Sequence, residues 1–93
     1  MFLLHHQTEE EAGAAAELLR AMGGHARRLL EQCVESQGLT RKAVSGAARA
    51  LHDAGFIFVR ETGILGGDAE FTLTPALAGE EALEALEVVE QGA

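Results

Sequence analysis

Apolar positions along this chain follow two periods, and the switch between them marks its organisation. Ala12, Ala15, Ala16, Leu18, Leu19 and Met22 recur at helical spacing and are stopped by Gly23-Gly24. Thr8-Glu9-Glu10-Glu11 precedes them in capping-box order, a hydroxyl followed three residues later by a carboxylate, which predicts a first helix over about 8–22. Ala26, Leu29, Leu30, Cys33 and Val34 form a second stripe, predicting a helix from about His25 to Gln37 with Gly38 as its stop. Val44, Ala47, Ala48, Leu51 and Ala54 form a third, with Thr40 as expected N-cap and Gly55 at its end. On a helical wheel Lys42, Ser45, Gly46, Arg49 and Asp53 fall opposite that stripe, and Arg41 flanks them.

After Gly55 the period shortens. Phe56-Ile57-Phe58-Val59-Arg60 is aromatic and β-branched, and Phe71-Thr72-Leu73-Thr74 alternates strictly, so the pair reads as a hairpin interrupted by Gly63, Gly66 and Gly67. Thr74-Pro75 leads out of it, proline being tolerated in a first helical turn. Residues 80–90 then set Ala82, Leu83, Ala85, Leu86 and Val89 against five glutamates as a closing helix. The expected order is three helices, a two-stranded hairpin and a C-terminal helix, a mainly helical α+β fold in one domain over residues 1–93.

Composition sharpens this picture. Four Phe, no Trp and no Tyr leave a core built of aliphatics and many alanines, which points to close helix packing and to a homodimer that supplies further burial. Cys33 is the one cysteine, so no internal disulfide forms, in keeping with a reducing, cytoplasmic setting. No stretch approaches the roughly 20 apolar residues of a membrane span. The net charge of -8 is unevenly spread: residues 1–24 carry -3, residues 25–60 carry +3, and residues 61–93 carry -8. Six of the seven basic residues thus lie in the central segment of an acidic chain.

Two stretches give that pattern a family likeness. Leu39-Thr40-Arg41-Lys42-Ala43-Val44-Ser45, followed by Leu51-His52-Asp53-Ala54-Gly55-Phe56-Ile57, resembles the recognition helix and following strand of MarR-like winged-helix regulators. Leu73-Thr74-Pro75-Ala76 with Gly79-Glu80 is similar to the passage from wing to closing helix in such proteins. The likeness spans roughly residues 25–90 and implies a winged helix that binds double-stranded DNA as a homodimer. It assigns contacts to Thr40, Arg41, Lys42, Ser45 and Arg49 at the reading helix, since residues near the start of such a helix reach base edges and phosphates. Arg60 is the basic residue placed to touch the DNA backbone from the wing, and Gly46 would allow close backbone approach.

The wing chemistry supports a second expectation. Thr62 to Glu70 contains no base, and Ile64-Leu65 at its tip is an aliphatic pair that a lone soluble protein gains nothing by exposing. A winged helix turned to protein contact, through Ile64 and Leu65 or the acidic closing helix, is the alternative. Nothing in the residues points to an enzyme. His5 and His6 are adjacent, one cysteine cannot supply a zinc motif, and Gly66-Gly67 lacks the helix and lysine of a phosphate loop. No catalytic residue, metal or cofactor is expected, and Cys33 on its apolar stripe reads as a buried thiol.

Overall fold

The computed structural model describes residues 9–62 and 69–92. Helix α1 spans Glu9–Met22, α2 Gly24–Ser36, and a short strand β1 Leu39–Arg41. Helix α3 spans Gly46–Asp53, β2 Ile57–Glu61, β3 Phe71–Pro75 and α4 Leu77–Gly92. Among the described residues this is an α+β fold, mostly helical, with four helices and one antiparallel sheet in the order β1-β3-β2.

The sheet has one strand more than the periodicity predicts. Leu39, Thr40 and Arg41 pair with Leu73, Thr72 and Phe71, so Thr40 does not cap the third helix. The chain leaves α2 through Gln37 in the left-handed region, φ 59°, and turns into the open edge of β3. There the β-branched Thr40 suits a pleated surface. The cap passes to Ser45, whose extended backbone and Oγ atom, 3.1 Å from the N–H of Ala48, begin α3 five residues later than expected. The apolar stripe survives this shortening: Ala48 and Leu51 are buried, and Val44, Ala47 and Ala54 pack partly against the core. Thr8, the expected cap of the first helix, lies outside the described residues.

One core joins all layers. Leu19, Leu30, Leu51, Ile57, Leu73 and Leu86 are fully buried with Cys33, and Ala16, Ala26, Ala48 and Ala82 fill the closer helix contacts. Helix α4 starts earlier than its pattern predicts, with the carbonyl of Ala76 accepting from the N–H groups of Gly79 and Glu80 at 3.0 and 3.1 Å. It lies along α1, while α2 packs on α3 and β3. Gly79 allows α4 to approach the strand: a Cβ there would collide with the Phe56 carbonyl oxygen. No helix among the described residues is long and apolar enough to cross a membrane.

Candidate nucleic-acid interface

The residues around α3 divide into those the fold gathers and those it separates. Ser45 and Arg49 are exposed at the start and middle of α3, and Lys42 is exposed in the turn before it. The Ser45 hydroxyl is occupied as a helix cap. Gly46, in the first turn, has open space where a Cβ would stand. Thr40 and Arg41 belong to β1 instead of the helix start. Thr40 faces Thr72 across the sheet, and Arg41 lies at its end with a guanidinium N–H donating to the Thr40 carbonyl at 3.0 Å.

Arg60 is set apart as well. It shares one face of β2 with Phe58, opposite Thr72 and Thr74, on the side of the sheet turned away from the core. Ile57, Val59 and Leu73 supply the inner face, against which the helices pack. Arg60 therefore lies in the row Thr40, Thr72, Arg60 across the outer sheet face and lines a different groove from the one between α2 and α3. The reason is the two-residue period of the strand, which sends neighbouring side chains to opposite faces. Ile64 and Leu65 lie outside the described residues.

Helix α2 contributes residues that the sequence reading did not assign. His25, Arg28, Leu29 and Gln32 form one wall of a groove of about 460 Å³, and Ser45 and Ala47 form the other. Positions 25, 28 and 32 share a helical face by their spacing. That spacing is readable in the sequence, but its proximity to α3 depends on how α2 and α3 pack.

Charge pairing separates the bases into two groups. Arg20 bonds Glu17 at 2.6 Å. Arg27 reaches Glu31 within its own helix at 3.2 Å and Glu90 on α4 at 2.5 and 2.7 Å. Hydrogen bonds from Arg27 hold the Glu90 carboxyl below the usual carboxylate range and raise the Arg27 guanidinium in turn. Arg28, Arg41, Lys42, Arg49 and Arg60 have no carboxylate within 4.0 Å among the described residues. A second groove, of about 600 Å³, runs between α2 and α4 and is rimmed by Glu31, Glu35, Glu80, Glu84 and Glu87 over Val34 and Leu83. Helix α2 thus borders both a basic and an acidic groove.

No known protein family, curated protein or solved structure matches the chain. Its chemistry rests on the arrangement itself: the His25 imidazole and Arg28 guanidinium share a groove with Ser45 and Ala47 at the first turn of α3, a helix end that favours anions. Cys33 offers nothing to that surface. It is buried with Sγ 3.9 Å from the Leu73 carbonyl, and burial pushes its thiol pKa up.

Proposed function

We propose that this protein binds double-stranded DNA through the face formed by α2 and α3, as a winged-helix regulator acting as a homodimer. The observation that supports this most directly is the set of uncompensated bases. Arg28 lines the α2–α3 groove and Lys42 and Arg49 are exposed before and along α3, all without acid partners among the described residues, while Arg20 and Arg27 are paired with glutamates. Carboxylates that would repel a phosphate backbone gather instead between α2 and α4. Helix α3 followed by the antiparallel β2–β3 ribbon is in keeping with a winged helix, and on this reading Arg28, Lys42 and Arg49 meet phosphates.

Such a site is tested by fluorescence anisotropy on mixed-sequence duplexes across a salt series. Binding should weaken linearly on a log–log plot, with a slope of roughly -0.9 per neutralised phosphate. Removing a phosphate-contacting base, as in Arg28→Ala, should reduce that slope by about 1. Absence of binding by the folded protein at low salt would overturn the proposal.

A second reading is a winged helix used for protein contact. What favours it is the end of α4, where Val88 and Val89 are 62% and 50% exposed beside the acidic face, with Leu18 of α1 at 47%. On this reading a Val88→Glu variant loses its partner in a pull-down and Arg49→Ala keeps it. The opposite pattern argues for DNA.

A further inference from the structure

The sheet order leaves β2 at an edge. Two backbone bonds that extend its ladder settle which groups point where. The Ala76 N–H donates to the Phe56 carbonyl at 3.0 Å, and the Thr62 N–H donates to the Glu70 carbonyl at 2.7 Å. By alternation, Phe58 and Arg60 turn their N–H and C=O groups toward β3, whereas Ile57, Val59 and Glu61 turn theirs outward. No backbone or side-chain hydrogen bond among the described residues takes up those outward groups. The register with β3 is continuous from Ile57 to Glu61, and the strand holds neither a proline nor a bulge. Proteins ordinarily blunt an exposed edge of this kind.

The same strand holds the largest exposed aromatic surface among the described residues. Phe58 is 62% exposed beside Arg60, with Thr62, Thr72 and Thr74 along a shallow groove that no carboxylate lines. In a chain of charge -8, a strand with one Arg and one Glu is also a locally neutral place for two like molecules to meet.

We propose that the free edge of β2 pairs antiparallel with the same edge of a second copy, joining the two sheets into one. The two-fold axis passes through Val59. This register alone pairs all five residues: Val59 with Val59, Phe58 with Arg60 and Ile57 with Glu61 of the second copy. The outward-pointing residues then exchange backbone bonds, and each Phe58 ring lies opposite a guanidinium, a favourable cation–π pairing made twice. An axis through residue 60 would oppose two arginines, and one through residue 58 would leave Arg60 opposite Phe56 with fewer residues paired. Because the axis stands perpendicular to the joined sheet, both sets of helices lie on one side of it. Arg28, Lys42 and Arg49 take no part in the pairing, so it stands or falls independently of DNA binding.

Sedimentation equilibrium on the intact chain tests the pairing through a charge swap. Wild type should dimerise, and Phe58→Arg, which sets like charges opposite each other twice, should weaken the dimer at least about tenfold. Adding Arg60→Glu to that variant should return the affinity to within about threefold of wild type, because the new cation at position 58 then faces a new carboxylate at position 60 of the second copy. Both positions are solvent-exposed, and circular dichroism verifies that the variants are folded. The proposal is overturned if wild type stays monomeric up to about 0.5 mM. It is equally overturned if Phe58→Arg leaves the dimer intact, or if the double variant is as weak as the single one.

Discussion

At the scale of single residues, two glycines of α1 and α4 make opposite demands. Gly79 is where α4 meets the Phe56 backbone, and a methyl group there would meet a carbonyl oxygen that cannot swing aside. Gly79→Ala should cost about 1–3 kcal/mol, the usual range for overpacking a tight contact. Gly13 lies within α1 with open space around it, so Gly13→Ala should stabilise by about 0.5–1 kcal/mol through helix propensity alone. Thermal melts of the two variants should therefore shift in opposite directions. Equal shifts would mean that the α4–strand contact is looser than the fold describes. The sequence does not distinguish these glycines, since both interrupt stretches of Ala and Glu. Only the approach of two distant segments separates them. Ser45 is similar: as a side chain on the exposed face it reads as a DNA contact, and its capping bond emerges only once α3 is seen to begin at Gly46.

At the scale of elements, the long apolar stripes were legible because helical periodicity is local. The stripes of α1 and α2, the alternation of β3 and the apolar side of α4 all predicted the element that formed. β1 was not legible. Leu39-Thr40-Arg41 is three residues long and continues plausibly into the helix after it, and its partner is β3, on the far side of α3 and β2 in the sequence. Register with a distant strand is a non-local property that propensity does not encode. The α2–α4 junction was also hidden, because Arg27 and Glu90 are far apart in the sequence. Its consequence is a pH dependence. Glu90 has its pKa lowered in the folded protein, so its contribution is present above the ordinary carboxylate value and is lost as pH falls through the lowered one. Urea midpoints of wild type and Glu90→Gln should thus differ at pH 7 and draw together as pH falls below the ordinary glutamate value of about 4.3. A gap that persists or widens in acid would show that the pair does not hold α4 through charge. Both partners are at least partly solvent-exposed, and such pairs contribute modestly.

At the scale of the whole molecule, charge is sorted by position. The sequence placed six of seven bases in one segment, yet segregation along a chain does not determine segregation in space. Two of the seven, Arg20 and Arg27, are neutralised by glutamates of α1, α2 and α4. The rest are divided between the α2–α3 face, the end of β1 and the outer sheet face. The proposed DNA contacts of Arg28, Lys42 and Arg49 draw on this division, with Arg28 beside His25 and Gln32 in the α2–α3 groove. The division also leaves the outer sheet face, with Phe58 and Arg60, available for a separate purpose.

The central claim is that the α2–α3 bases engage phosphates, and salt dependence tests it most directly. The slope of log affinity against log salt should be measured on one duplex for wild type, Arg28→Ala, Arg49→Ala and Arg60→Ala. Arg28→Ala and Arg49→Ala should each bind more weakly, with a slope smaller in magnitude by about 1. Arg60→Ala, on the opposite sheet face, should leave that slope unchanged. Failure of the folded wild type to bind at low salt, or slopes that respond to Arg60 but not to Arg28 and Arg49, would contradict it.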